Sequence, residues 1–378
     1  MSILPRAIHL ASLCTAGKAL IIYGPRRAGK TTLLKSYLDS CGLHYRLETG
    51  DDIHLRHLLG SSDVGRITSF AAGYDVVAID EAQQIEDVGM GLKILVDHCP
   101  GLRVIATGSS SFDLAGAVGE PLTGRKRTVI LYPISQMELS GSLNDFDLRR
   151  RLEEFLVFGA YPDVVTAVGV KEKTVLLEEL AHSYLLKDVL ALERIRASRT
   201  LVDLLKLVAF QVGSEVSLSE LATQVRLDVK TVGRYLDILE KAFVIVRIGG
   251  FSRNLRREIT SKAKYYFLDN GVRNAVIGQY NPLDSRNDIG ALWENFIVSE
   301  RLKRRAYAGI YGTCHFWRTY AGQEIDYVEE RDGGVFGYEC KWSPARRVKP
   351  PRAWLDSYPE ASFALVTPDN YLDFVARG

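Results

Sequence analysis

Hydrophobic and polar positions follow three different rhythms along this chain, and each rhythm predicts a different kind of element. In the first third the apolar positions come in short unbroken runs: Ala19-Leu20-Ile21-Ile22-Tyr23, Val76-Val77-Ala78-Ile79, Val104-Ile105-Ala106 and Thr128-Val129-Ile130-Leu131. Such runs suit parallel strands buried on both faces. His44-Tyr45-Arg46-Leu47-Glu48 predicts a further strand that ends in the polar run Thr49 to Asp52, and Thr32 to Leu38 reads as a helix. The middle of the chain changes to a helical period. Leu201 to Val212 carries apolar residues at Leu201, Leu204, Leu205, Leu207 and Val208. Ser217-Leu218-Ser219-Glu220 opens a second helix with the pair of a capping box. After a turn at Arg226-Leu227-Asp228, a third helix from Val229 to Ala242 buries Val232, Tyr235, Leu236 and Leu239 and leaves Lys230, Thr231, Gly233 and Arg234 facing out. Phe243 to Ile248 then reads as a strand. In the last third, Ala291 to Ile297 predicts an amphipathic helix bearing Glu294. Glu324 to Val328 and Val335 to Trp342 predict two strands joined by the turn Arg331-Asp332-Gly333-Gly334.

Size and composition set bounds. The chain has 378 residues, 47% of them hydrophobic, enough for two or three cores. A formal charge of +2 leaves any affinity for nucleic acid to local clusters. The five cysteines are odd in number and share no metal-ligand or disulfide spacing, which fits reduced thiols in a cytoplasm. No apolar run has the length of a bilayer span, so no membrane role is expected, and the first residues show no signal-peptide pattern.

The strongest chemical signal is GPRRAGKT, Gly24 to Thr31, which fills the phosphate-loop pattern G-x-x-x-x-G-K-[ST] between a strand and a helix. Gly24 and Gly29 let the backbone approach phosphates closely, with Arg27, Ala28 and Thr32 completing the loop and first helical turn. Lys30 would neutralise the β/γ oxygens of ATP and the Thr31 hydroxyl would ligate Mg²⁺. The acidic pair Asp80-Glu81 ends a predicted strand, where open α/β sheets bind ligands. Asp80 would hold the Mg²⁺ shell and Glu81 would orient the attacking water, unless the pair merely caps a helix. The run Thr107 to Ser111 after the next strand offers hydroxyls that could sense the γ-phosphate, or simple caps. Arg125, in Leu122 to Arg127, is a candidate arginine finger toward phosphate in its own subunit or, in a homo-oligomer, in a neighbour's, although a basic loop is often only solvated.

Together GPRRAGKTTLL, VVAIDEAQ, VIATGSSSFDL and LTGRKRTVILYPIS resemble a large prokaryotic family of AAA-type ATPases with a carboxy-terminal domain of unknown function. FGAYPDVV (Phe158 to Val165), YLLKDVLAL (Tyr184 to Leu192) and KAKYYFLDNGVRNAV (Lys262 to Val276) carry the same likeness. It implies an AAA-like sheet with an extra strand between the strands of the phosphate loop and of the acidic pair.

The three middle helices followed by a strand have the order of a winged helix-turn-helix. Its next loop is basic, with Arg253, Arg256, Arg257, Lys262 and Lys264 interleaved with Asn254 and Tyr265. These side chains, with Lys230 and Arg234, are expected to contact DNA phosphates more than bases; a protein-docking wing is the alternative. In the last third, the order helix-Glu294, strand-Asp326, strand-Glu339-x-Lys341 resembles the PD-(D/E)xK nuclease core, with Ile325 in place of the usual proline. Glu339 and Lys341 share one strand face. Asp326 and Glu339, with Glu294 or water, would hold Mg²⁺, and Lys341 would support the nucleophile or the developing charge. The runs Arg301 to Arg305 and Arg346 to Lys349 would guide a phosphodiester backbone. A lone Glu-x-Lys also arises by chance.

The expected fold class is therefore α/β: a P-loop AAA-like parallel sheet (1–135), a helical lid or linker (136–198), a winged helix (199–270) and a small α/β nuclease-like domain (271–378). The expected function is Mg²⁺-dependent ATP hydrolysis by a DNA-binding protein that processes DNA. The alternative is an ATP-dependent switch or scaffold, binding DNA or a protein, with a catalytically silent nuclease fold.

Overall fold

The computed structural model describes residues 4–109, 121–181, 198–252, 263–343 and 348–377. Its residues divide into two units, one formed by Arg6–Pro133 with Lys241–Phe243, the other by Ile134–Glu240 and Val244–Gly378 with the first five residues.

In the amino-terminal unit the apolar runs become strands β1 (Ala19–Tyr23), β2 (Tyr45–Thr49), β3 (Val76–Asp80), β4 (Arg103–Thr107) and β5 (Lys126–Ile130). They form one parallel sheet in the order β2-β3-β4-β1-β5. The fold is α/β with a parallel P-loop type sheet, and β4 is the extra strand between β1 and β3. Every residue of β1 is buried, as a strand covered by helices on both faces must be. Because all five strands run the same way, their carboxyl ends, which carry the phosphate loop, Asp80 and Thr107, gather on one edge.

In the other unit, helices Ser198–Phe210, Leu218–Val225 and Val229–Lys241 precede strands β7 (Ile245–Gly250) and β8 (Ala263–Phe267), which pair antiparallel, while the short β6 (Glu215–Val216) pairs with β8. Ser217 does cap the second helix by accepting from Glu220 N. The Glu220 carboxylate, however, accepts from Gln224 Nε2, one helical turn on, so only half of the expected box forms. The last third supplies β9 (Thr313–Arg318), β10 (Glu324–Arg331), β11 (Gly334–Cys340) and β12 (Ser362–Val366). These do not form a sheet of their own. β7 pairs parallel with β9 through Gly249–His315 and Gly250–Phe316, giving one seven-stranded sheet in the order β12-β11-β10-β9-β7-β8-β6. The boundary expected at residue 270 therefore falls inside a continuous sheet.

Two local features position side chains in this sheet. The β9–β10 register shifts between Ile325 and Val328, so β10 holds one extra residue there. As a result Ile325 and Val328, three apart, both pack in the core of Trp317 and Trp354, while Tyr327 joins a different core with Tyr266 and Val298. The long helix Ile289–Ala308 is tied to the end of β8 by Asn295, whose Oδ1 accepts from Phe267 N at 2.7 Å and whose Nδ2 donates to Phe267 O at 3.0 Å. The motifs FGAYPDVV and FLDNGVRNAV meet in the same unit. Asp269 Oδ2 accepts from Ala160 N at 2.7 Å, and Asn274 Nδ2 donates to Leu156 O and Val157 O.

Candidate functional site

The phosphate loop has the backbone its glycines allow. Gly24 has φ of 147°, and a Cβ there would stand 2.1 Å from Leu131 O; Gly29 has φ of 94°. Arg27 adopts φ of 59°, a left-handed conformation that costs a side-chain residue energy and recurs where loops are shaped for ligands. Arg6, outside the motif, pins the loop by donating to Ala28 O and Tyr132 O, both at 2.6 Å. No side chain caps the helix Lys30–Ser40, so its amino terminus is left to an anion. Lys30 is buried, with its ammonium donating to Gly24 O and Pro25 O at 2.9 Å.

The acidic pair stands at the end of β3 and meets groups from the loop helix and from β4. Asp80 Oδ2 accepts from the Thr31 hydroxyl at 2.7 Å, and Asp80 Oδ1 accepts from the Thr107 hydroxyl. Glu81 follows with φ of 50° and ψ of 40°, which turns the chain sharply out of the strand. Gly50 makes room for that turn, since a Cβ there would stand 2.2 Å from Glu81 O. The Glu81 carboxylate accepts from Gln83 Nε2, and Gln83 Oε1 accepts from Ser109 N at 3.2 Å. Asp80 and Glu81 are thus not a helix cap of their own: Glu81 makes no side-chain cap to the short helix Ala82–Gln84. The uncapped helix terminus and buried ammonium suit the phosphates of a nucleoside triphosphate, and Thr31 and Asp80 are the residues that could hold its Mg²⁺. Thr32 stands in the first turn of the same helix.

Arg125 stands elsewhere. It immediately precedes β5 and its carbonyl accepts from Ala19 N, at the amino ends of the parallel strands. A five-residue strand separates that edge from the phosphate loop by roughly 16 Å. Its guanidinium is engaged by Asp97 at 2.5 Å. A finger toward the phosphate of its own subunit does not fit this placement.

The second cluster lies in the carboxy-terminal unit. Asp326, Glu339, Lys341 and Glu294 do come together, with two residues not expected there, Lys264 and Glu324. Lys341 Nζ is 2.7 Å from Glu339 and 3.9 Å from Asp326. Lys264 Nζ is 3.0 Å from Glu294 and 2.5 Å from Glu324, with only 1% of its side chain exposed. Tyr266 donates its hydroxyl to Glu294 at 2.7 Å, and Asp326 Oδ2 accepts from Cys340 N at 2.9 Å. Burial, reinforced by Asp326, pushes Glu294 up to about 7 against the pull of Lys264 and Tyr266. Burial and the same Asp326 charge push Glu339 up. Burial alone would lower the Lys264 ammonium, but Glu294, Asp326 and Glu324 push it up instead. Among the described residues no group of three His, Cys, Asp or Glu side chains could hold a metal ion. The expected Glu294–Asp326–Glu339 metal set is therefore not formed: Lys264 engages Glu294, while Lys341 beside Glu339 is the neighbour that a Glu-x-Lys site would have.

The expected basic surfaces also change. Lys264 and Tyr265 lie in buried β8 and not in a solvated loop. Alternation along Lys-Ala-Lys-Tyr-Tyr-Phe carried the missed signal, since Lys264 and Tyr266 share a face and meet the same Glu294 oxygen. Arg253, Arg256, Arg257 and Lys262 lie outside the described residues, as do Ser110, Ser111, Arg346, Arg347 and the motif Tyr184 to Leu192. Lys230 and Arg234 are exposed on the helix Val229–Lys241. The run Arg301 to Arg305 is buried. Arg301 donates twice to Glu329, at 2.7 and 2.8 Å, Lys303 is 2.6 Å from Glu300, Arg304 donates to Phe374 O and Arg305 to Gly312 O. Those charges brace the fold and are not free to guide DNA.

Residues 16–140 match the AAA domain family. That match spans β1 to β5 and both acids of the pair, so the amino-terminal unit is of the nucleotide-hydrolysing P-loop type. Residues 149–282 and 289–372 each match a domain of unknown function, DUF8612 and DUF4143. An uncharacterized protein of Mycobacterium tuberculosis is 26% identical over 341 residues, covering 89% of this chain and 72% of the relative. One from Methanocaldococcus jannaschii is 23% identical over 314 residues, 77% of this chain and 67% of the relative. A solved structure of Pif1 helicases at forked double-stranded DNA aligns with a TM-score of 0.23 and 12% identity over 43% of this chain and 48% of that one, a score too low to carry an argument. Among the described residues no helix is long and apolar enough to cross a membrane.

Proposed function

We propose that this protein is a Mg²⁺-dependent ATP hydrolase whose second unit binds DNA through its helix-bearing part and carries a nuclease-like fold that does not cut. The observation that carries the ATPase reading is the 2.7 Å pairing of the Thr31 hydroxyl with Asp80, on the edge where the uncapped helix amino terminus opens. Thr31 and Asp80 would hold Mg²⁺, which supplies charge neutralisation for transfer of the γ-phosphoryl group. Lys30 exchanges its loop carbonyls for phosphate oxygens. Glu81, held through Gln83, orients and polarises the water, and the Gln83–Ser109 hydrogen bond links that carboxylate to the end of β4. Arg125 would serve only a neighbouring subunit.

Support for DNA binding comes from Lys230 and Arg234, exposed one turn apart on the third of three helices that precede an antiparallel hairpin. Support for a silent nuclease-like site comes from the buried Lys264 ammonium on Glu294, a cation the Glu-x-Lys pattern does not call for. The test is ATP turnover by the full chain alone and with single-stranded, duplex and branched DNA, beside plasmid nicking with Mg²⁺ and Mn²⁺. We expect turnover that DNA accelerates, and no nicking. Turnover indifferent to every DNA would remove the DNA-coupled reading, and nicking lost in Asp326→Ala would make the second unit a nuclease.

A further inference from the structure

The carboxylates of the second cluster raise a question of charge balance. Glu294, Glu324, Asp326 and Glu339 meet two ammonium groups, with the half-exposed Arg318 guanidinium 3.7 Å from Glu324 at the edge, and the two ammonium groups are not equivalent. The Lys341 side chain is 44% exposed and hydrogen-bonds Glu339 at the margin. The Lys264 side chain is 1% exposed, spans Glu294 and Glu324, and lies 5.4 Å over the Phe316 ring. A lysine so deeply buried is tolerable only when its charge is matched and hydrogen-bonded. It arrives from β8, a strand of the β6–β8–β7 part of the sheet, while the acids arrive from the long helix, β10 and β11.

We infer that Lys264 is the built-in counter-cation of this cluster: it stands where a divalent metal would be held, and the cluster takes up no divalent metal while it is present. Three features support the assignment. Glu294 Oε1 accepts from both Lys264 and Tyr266, so one of its two oxygens is already doubly engaged. A divalent ion on the same oxygens would place two more positive charges within hydrogen-bond reach of an ammonium whose side chain is almost wholly buried. Loss of the lysine would free Glu294 to join Asp326 and Glu339, which already share Lys341, and Glu339 Oε2 is buried without a hydrogen-bond partner. The lysine also locks β8 to the long helix and β10, so the same side chain fixes the helix-bearing part of the unit to the nuclease-like strands.

The inference rests on the reading of this unit as a silent nuclease-like fold, and the two fail separately. Nicking by the wild type overturns that reading; Mn²⁺ uptake without nicking overturns only the role of Lys264. The experiment titrates Mn²⁺ into the nucleotide-free full chain, following free Mn²⁺ by electron paramagnetic resonance. Wild type and Lys264→Met are each compared with their Asp326→Asn counterparts, so that uptake elsewhere cancels. The wild type is expected to show no uptake sensitive to Asp326→Asn. Lys264→Met is expected to take up one Mn²⁺ that Asp326→Asn abolishes, and its tryptophan-monitored Tm is expected to rise by about 5 °C at saturating Mn²⁺ while the wild type is unmoved. Lys264→Arg, which keeps a cation, should remain blind to Mn²⁺. Stoichiometric uptake by wild type that Asp326→Asn removes would overturn the inference, as would a folded Lys264→Met that binds none. Should Lys264→Met fold only with Mn²⁺ present, the assignment is supported; should it fold under neither condition, the wild-type pair and Lys264→Arg decide.

Discussion

The two clusters of this chain use nearly the same side chains and reach opposite results. Each brings a lysine and acids to strand ends or strand faces. At the phosphate loop, Lys30 bonds main-chain carbonyls, which a phosphate can replace at little cost, and Asp80 bonds hydroxyls, which can turn toward a cation. In the second cluster the lysines bond the carboxylates themselves. The ion pairs offset much of the acids' charge inside the protein, so a ligand must first break them. What separates a ready site from a self-neutralised one is the partner each charge has chosen, and residue type alone does not decide it.

Lys30→Ala tests the ready side of this contrast and has the largest expected effect. Removing the motif's cation should abolish ATP turnover, measured as phosphate release, with the fold intact by circular dichroism. Turnover retained near wild type would take Lys30 out of the site. On the self-neutralised side, Glu329 shows how far pairing can go. Burial would raise it, but Arg301, Arg305 and Arg331 hold it down at about 2. Glu329→Gln leaves those guanidinium groups without their acid and should cost about 3–5 kcal/mol of stability. Tryptophan fluorescence reads this directly, because all four tryptophans (Trp293, Trp317, Trp342 and Trp354) lie in the same unit. A loss under about 1 kcal/mol would mean that water, and not Glu329, satisfies the arginines. Glu81→Gln should keep ATP binding and slow hydrolysis by roughly a hundredfold, as loss of a water-orienting carboxylate does. Equal rates would return Glu81 to a purely conformational role in the turn after β3.

Much of the first site was legible in the sequence, and for a physical reason. A phosphate loop is local: eight consecutive residues set its backbone, and unbroken apolar runs set the strands beside it. The own-subunit finger at Arg125 was a miss with a readable signal, since a residue that precedes a parallel strand lies on the edge away from the loop. The second cluster depends on long-range contacts. Lys264 reads as part of a basic loop when charges are counted and as a strand residue only when alternation is followed through Tyr266. The bulge between Ile325 and Val328 has no sequence signature, and it sets which residues of β10 share a face. The run Arg301 to Arg305 looks solvated by composition; its partners are Glu329, from β10, the Phe374 carbonyl far along the chain and the Gly312 carbonyl just past the helix.

Glu294 gives the smallest effect and the finest distinction between the clusters. Its carboxyl is raised to about 7 by burial and by Asp326, with Lys264 and Tyr266 opposing, while in the unfolded chain it titrates near its ordinary value of 4.5. Between those values the folded protein binds more protons than the unfolded one, so stability falls as pH rises. Below about 4.5 both states are protonated at this group and its full contribution is present; above about 7 it is gone. A single group of this kind should cost about 1 kcal/mol between pH 6 and pH 7. Denaturant unfolding followed by tryptophan fluorescence at those two pH values, in wild type and Glu294→Gln, isolates it from histidines and other groups common to both. The wild type should lose stability across the interval by about 1 kcal/mol more than the variant. Equal losses would mean that Glu294 is already ionised at pH 6, paired with Lys264 as a full salt bridge. In that event the cluster would be balanced by its lysines more completely than the raised carboxyl implies.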